Sequence, residues 1–142
     1  MKIVRFLVLA LCIFGAGLSA LSLRNHYSAS ATDYCDLSQT FNCDLVNRST
    51  YSAIHGVPVA LVGFLGYILL FVLSWRTTGR IASFRFVASL IGLAFALYLA
   101  YIEAYVLAVW CLLCIGSMTA IFGITLLTCV VLWRSGAKEP KV

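Results

Sequence analysis

Of the six cysteines in this chain, four fall in two pairs. Cys35 and Cys43 bracket Asp-Leu-Ser-Gln-Thr-Phe-Asn in the one long polar stretch, and Cys111 and Cys114 form a C-x-x-C where an apolar run begins. Thiol pairs of this kind exchange disulfides, and the attacking species is the thiolate. At the start of a helix the first thiol of a C-x-x-C sits by unpaired N–H groups and the positive end of the helix dipole, which favour the thiolate. A disulfide between Cys35 and Cys43 is open to attack by a partner's thiolate, so the two pairs together suggest a relay of electron pairs. Two plainer readings stand beside it. The loop pair serves equally as a static staple, and four soft ligands suit zinc or Cu(I), although no His flanks either pair at ligand spacing. Four cysteines allow three full pairings, and a relay visits more than one. Cys12 and Cys129 are single and flanked by apolar residues, and read as packing residues.

The elements that must position these thiols lie in a membrane. The 142 residues are 63% hydrophobic and only 11% charged, against about 45–50% and about 25% in soluble domains. A bilayer core about 30 Å thick requires about 20 apolar residues per helix. Segments 6–23 and 57–75 contain no Asp, Glu, Lys or Arg, and the stretch from Phe86 to Trp133 contains one charge, Glu103. That stretch is too long for one crossing and is read as two, near 85–105 and 110–133. The expected fold is an all-α, integral membrane four-helix bundle, a single domain over 1–142 with a redox loop at 24–56.

Orientation follows from the basic residues. Lys2, Arg5, Arg76, Arg80, Arg85, Arg134, Lys138 and Lys141 fall on one side, which the positive-inside rule makes cytoplasmic along with both termini. Arg24, Arg48, Asp33, Asp36 and Asp44 fall on the other. The net charge of +5 thus reports topology, and no nucleic-acid partner is implied. A cleavable signal peptide is the rival reading of the N-terminus, but its apolar run of 18 (residues 6–23) exceeds the usual 7–15. Cys111 precedes Arg134 by 23 positions, roughly 34 Å of helix. Both cysteine pairs therefore belong to the outer, oxidising side.

Packing and proton handling leave weaker marks. Ala88, Gly92, Ala96, Ala100 and Ala104 make a small-residue stripe, and Gly116 with Ala120 and Gly63 with Ala60 are similar. Tyr98, Tyr101, Tyr105 and Trp110 at the outer interface, with Trp75 and Trp133 at the inner one, resemble an aromatic belt. Glu103, the one acid within a helical segment, is a candidate for moving protons, its plainer role being an interface anchor. His55, at the start of the second helix, is a candidate for hydrogen bonding an electron acceptor dissolved in the membrane, its plainer role being a loop residue at the headgroup level.

Taken in order, Cys35-Asp36-Leu37, Phe41-Asn42-Cys43-Asp44, Asn47-Arg48-Ser49, Tyr51-Ser52, Gly56-Val57-Pro58 and Cys111-Leu112-Leu113-Cys114 resemble the vitamin K epoxide reductase family, in its bacterial members, over roughly Arg5 to Trp133. The resemblance implies a thiol:quinone oxidoreductase of the bacterial inner membrane, doing the task otherwise done by DsbB. Such an enzyme reoxidises a periplasmic, thioredoxin-like (DsbA-like) disulfide donor and passes the electrons to a quinone, ubiquinone or menaquinone, with no metal. It implies that Cys35 meets the partner, Cys43 exchanges with Cys111, and Cys114 reduces the quinone, with Ser49 where the family has a Ser or Thr near the active cysteines. On this reading Cys114 is the buried thiol, and the loop thiols are exposed and mobile. Ser52 and Met118 occupy the places where vertebrate enzymes carry Asn and Tyr, so epoxide reduction is not carried over with quinone reduction. No thioredoxin-like domain is fused within these residues, and the partner is expected to be a separate protein. The alternative is a non-catalytic membrane subunit with a stapled loop.

Overall fold

The computed structural model describes residues 2–28, 35–76 and 79–136. Asp33, Lys138 and Lys141, used above for orientation, lie outside the described residues. Four long helices carry most of the chain: α1 (Lys2–Tyr27), α3 (Val59–Trp75), α4 (Gly79–Ile102) and α5 (Leu112–Gly136). Between α1 and α3 lie a short helix α2 (Cys43–Asn47), a 3₁₀ turn (Thr50–Ser52) and a hairpin of β1 (Ala53–Ile54) and β2 (Val57–Pro58). A π-helical turn (Glu103–Leu107) extends α4 and ends at Ala108 in the left-handed conformation, φ 52°.

The helices form a ring in which α1 packs on α3 and α5, α4 packs on α5, and α3 meets α4 along a sparser seam. Val8, Cys12, Tyr67, Leu70, Ala120, Ile121 and Ile124 make the buried centre. At Gly15 a Cβ would fall within the ring of Tyr67, so only glycine lets α1 and α3 approach so closely there. The Tyr67 hydroxyl then donates to the Ser117 carbonyl at 2.7 Å and meets its Oγ at 2.9 Å, joining α3 to α5. The outward faces are apolar as well: Phe6, Phe14, Leu65, Val72, Ile91 and Phe122 are all exposed. A surface of that kind is stable only with hydrocarbon as its solvent. The helices α1, α4 with its π turn, and α5 are long and apolar enough to cross a bilayer. At 17 residues α3 is shorter, at the lower limit of a spanning segment. The fold is thus an all-α membrane bundle.

Several element boundaries differ from the sequence reading. The first helix runs on to Tyr27 instead of ending at 23, because its last turns are held by polar bonds to α2 described below. The expected loop at 24–56 therefore begins four residues later. The third helix begins at Gly79 instead of 85, so Arg85 lies within α4, buried, and does not flank the connection. A long aliphatic stem lets an arginine sit inside a helix near its end. Residues 108–111 are a non-helical connection, and the last helix starts at Leu112 instead of 110. Of the two single cysteines Cys12 joins the core, whereas Cys129 is exposed on the outward face of α5 and packs nothing centrally. Arg5 lies over the Trp75 ring, 5.8 Å from its centroid, which gathers the starts and ends of α1 and α3 with basic residues at one end of the bundle.

Candidate functional site

At the opposite end the polar segment folds down onto the start of α5. Asn42 caps α2, its Oδ1 accepting from the Leu45 N–H at 2.7 Å, so a helix begins at Cys43. Phe41 and Trp110 pair as a parallel bridge: the Trp110 N–H donates to the Thr40 carbonyl at 2.8 Å, and the Asn42 N–H donates to the Trp110 carbonyl at 3.1 Å. The bridge joins the residue before Cys43 to the residue before Cys111. Cys43 is in a disulfide with Cys35, and Cys111 and Cys114 are free thiols. The Sγ atoms of Cys111 and Cys43 lie 3.6 Å apart, so three of the four paired cysteines meet in one apolar nest with Val46, Val109 and Leu113.

Burial departs from expectation on both pairs. Cys35 is 2% exposed and Cys43 0%, where exposed loop thiols were expected. The closed disulfide belongs to a hydrophobic cluster with Val46, Val109 and Leu113. Cys111 is likewise 0% exposed, while Cys114, one helical turn on, is only half-buried and faces a cavity, reversing the expected order. Hydrogen bonding from the Cys114 side chain, aided by the Cys114 and Leu113 N–H groups, holds the Cys111 thiol below its ordinary pKa against burial and the Glu103 charge. The Cys114 N–H approaches the Cys111 Sγ at 3.4 Å. The local charge pattern thus favours thiolate at Cys111, as a C-x-x-C at a helix start predicts.

Asn47 is the hub of this region. Its Oδ1 accepts from the Ser22 hydroxyl at 2.8 Å, and its Nδ2 donates to the Cys43 carbonyl at 2.9 Å while lying 3.9 Å from the Cys111 Sγ. Its own carbonyl accepts from His26 Nδ1 at 2.6 Å. Ser52 Oγ lies 3.2 Å from the same nitrogen and spends its proton on the Ser49 carbonyl at 2.7 Å. With two acceptors facing Nδ1, that nitrogen carries a hydrogen, and Nε2 makes neither of these bonds.

The cavity beside Cys114 has a volume of about 440 Å³, within the range of small-molecule sites. It opens along the α3–α4 seam, where Ala88, Gly92, Ala96 and Ala100 form its wall. The small-residue stripe thus makes room as well as contact. Its polar lining is concentrated toward the loop, in His26, Asn47, Ser49, Ser52 and Glu103. Met118 lines it too, one turn beyond Cys114. His55 does not. It occupies the exposed tip of the β hairpin with φ 51°, followed by Gly56 at φ 81°, the two positive values a tight two-residue turn requires. Among the described residues no three His, Cys, Asp or Glu side chains gather as a metal site.

Sequence reasoning missed His26 and Asn47. His26 was read as loop because Arg24, Asn25 and His26 break the apolar run, and an apolar run was the criterion for the helix. The signal available was the spacing of Ser19, Ser22 and His26, which marks a polar stripe on one face of a continuing helix.

No curated protein matches the chain. The sequence pattern of the vitamin K epoxide reductase family matches residues 6–129, from the first turns of α1 to the last third of α5. That span contains the loop disulfide, the C-x-x-C and the cavity between them, and the chain belongs to this family of membrane thiol-disulfide oxidoreductases.

Proposed function

We infer that the protein oxidises a separate thioredoxin-like dithiol protein on the outer side of a bacterial inner membrane and delivers the electron pair to a membrane quinone. The observation that carries this reading is the 3.6 Å approach of Cys111 to Cys43, with Cys114 facing the cavity on the other side. The cavity suits a quinone ring: it is mostly apolar, it opens toward the lipid seam, and its few polar groups cluster at one end. A quinone supplies a two-electron, two-proton acceptor soluble in the bilayer.

The thiol steps balance as exchanges. A thiolate of the partner attacks Cys35, and Cys43 leaves as thiolate. Cys43 attacks Cys111 of an oxidised Cys111–Cys114 pair and releases Cys114. When the partner's second thiol frees Cys35, Cys35 attacks Cys43 and restores the loop disulfide, leaving Cys111 and Cys114 reduced. The pairing described above, with Cys35–Cys43 closed and Cys111 and Cys114 free, matches that stage of the proposed cycle. Closing the Cys111–Cys114 bond then yields two electrons for the acceptor. Asn47 positions Cys43 and Cys111 for exchange, and the Asn47 carbonyl and Ser52 hold His26 Nδ1, so that Nε2 accepts from a hydroxyl of the quinol formed. Four crossings with both termini cytoplasmic place the basic end inside and the cysteines outside.

The test is anaerobic quinone reduction by the purified protein with a reduced thioredoxin-like donor. Wild type turns over, Cys35→Ala and Cys114→Ala do not, and a donor stripped of its second thiol is held by wild type as a mixed disulfide on Cys35, with Cys43 released as thiolate. If wild type reduces no quinone with any donor, the loop pair is a staple and the catalytic reading is lost.

A further inference from the structure

Glu103 is a carboxylate that a structural role does not account for. It is 3% exposed, in a segment otherwise apolar enough to span a bilayer, and it is the one carboxylate lining the cavity. Burying a carboxylate is costly unless its oxygens are engaged. The π turn at Glu103–Leu107 re-aims the chain here: the Glu103 carbonyl accepts from the Ala108 N–H and from the Val109 N–H, at 3.1 Å for the latter. Its Oε2 accepts from the Cys111 N–H at 3.0 Å, at the start of α5. Cys114, one turn beyond Cys111, lines the same cavity as Glu103. Capping a helix requires only the bond to the Cys111 N–H, and an Asn or Ser provides it without burying a charge. The carboxylate thus brings a base to the cavity that the Cys114 thiol faces.

We propose that Glu103 is the proton carrier of the inner dithiol, taking the Cys114 thiol proton as Cys114 reacts and delivering it to the reduced quinone across the cavity. The inference rests on the quinone reading above. The dithiol and the quinone become disulfide and quinol: the S–S bond of Cys111–Cys114 forms, and its two electrons pass to the quinone. One proton travels from Cys114 by way of Glu103; Cys111, reacting as thiolate, has already given its proton to solvent, and the second proton of the quinol is drawn from solvent. Glu103 is restored as carboxylate at the end. Glu103 lines the cavity that Cys114 faces, which is where a general base for that thiol must stand, and it is the one carboxylate in that lining.

Glu103→Gln separates the roles. Glutamine keeps an oxygen for the Cys111 N–H but accepts no proton and carries no charge. Two readouts are taken on the full chain, with the loop disulfide closed and the C-x-x-C reduced. The first is the rate of Cys114 alkylation by iodoacetamide at fixed pH, with the site identified by mass spectrometry. The second is the single-turnover rate of quinone reduction. In E103Q the negative charge beside the thiol is gone, so Cys114 alkylates several-fold faster than wild type, while quinone reduction is at least tenfold slower. In Glu103→Ala, added acetate restores quinone reduction in a concentration-dependent manner. A purely structural Glu103 gives the opposite pattern, with alkylation unchanged or erratic, turnover lost in proportion to melting temperature, and no rescue by acetate. That outcome, or wild-type turnover in E103Q, overturns the proposal. Should E103Q fail to fold, Glu103→Asp, which keeps the acid one methylene shorter, is expected to alkylate at the wild-type rate with slower turnover, and equal turnover overturns it. If wild type itself reduces no quinone, the function is wrong, and equal Cys114 alkylation in wild type and E103Q then removes the carboxylate–thiol contact as well.

Discussion

At the scale of single residues, the site is governed by who donates to which sulfur. Cys111 receives hydrogen bonding from Cys114 before any other favourable influence, and this holds its pKa below the ordinary thiol value. A group with a lowered pKa is thiolate over a wider pH range, so Cys111 remains reactive below about 8.5 and loses reactivity only on further acidification. Alkylation of Cys111 against pH measures this, and Cys114→Ala moves the midpoint upward by removing the main donor. Asn47 makes two side-chain hydrogen bonds in a buried place. Asn47→Ala leaves the Ser22 hydroxyl and the Cys43 carbonyl without it, at a cost of about 1–3 kcal/mol, read as a lower urea midpoint in detergent, together with slower Cys43–Cys111 exchange. His26→Phe keeps the ring volume but removes Nε2 from the cavity. Quinol affinity is expected to fall about tenfold, or about 1.4 kcal/mol, followed by quenching of Trp110, which lines the same cavity.

At the scale of elements, the continuation of α1 through His26 and the non-helical connection at 108–111 matter more than the helices' length. The first gives the loop a rigid face to dock on, through Ser22 and His26. The second leaves Trp110 free to pair with Phe41, which no helical residue could do, because its N–H and carbonyl would be committed to the helix ladder. The bundle itself depends on close approach at Gly15. Gly15→Val drives two methyl groups into the Tyr67 ring, and a loss of about 1–3 kcal/mol is expected from overpacking. Tyr67→Phe, which loses only the bonds to Ser117, costs about 1 kcal/mol. Thermal unfolding in detergent ranks the two variants, and the glycine variant should be the less stable.

At the scale of the whole molecule, function depends on opposite ends of one bundle meeting different solvents. The two cysteine pairs sit at one end, and Arg5, Arg76 and Arg134 at the other, with Arg5 stacked on Trp75 marking that end. A cysteine introduced at Arg5 is expected to escape a membrane-impermeant thiol reagent in intact cells and to react after permeabilisation. One introduced at His55, the exposed hairpin tip, should react in both. Labelling of both positions from the same side would invert or remove the proposed topology.

The sequence alone determined that the chain is an all-α membrane protein, which two pairs of thiols it presents, and the family to which it belongs. Each of these rests on properties local in the chain: apolar run length, C-x-x-C spacing and motif order. Tertiary structure decided which sulfurs touch, which thiol faces the cavity, and that His26 and Asn47 belong to the site while His55 does not. Those outcomes were hidden because polar residues at the end of α1 look like loop until a partner accepts their hydrogen bonds, and Asn47 supplies that partner from a distant position. Burial of the thiols was misjudged for the same reason. Exposure of a loop residue depends on what folds over it, and here the Phe41–Trp110 bridge folds the loop onto α5. Glu103 stood out in sequence as the lone acid in an apolar segment, but only the π turn and the start of α5 gave its carboxylate an N–H to meet and a place in the cavity that Cys114 faces.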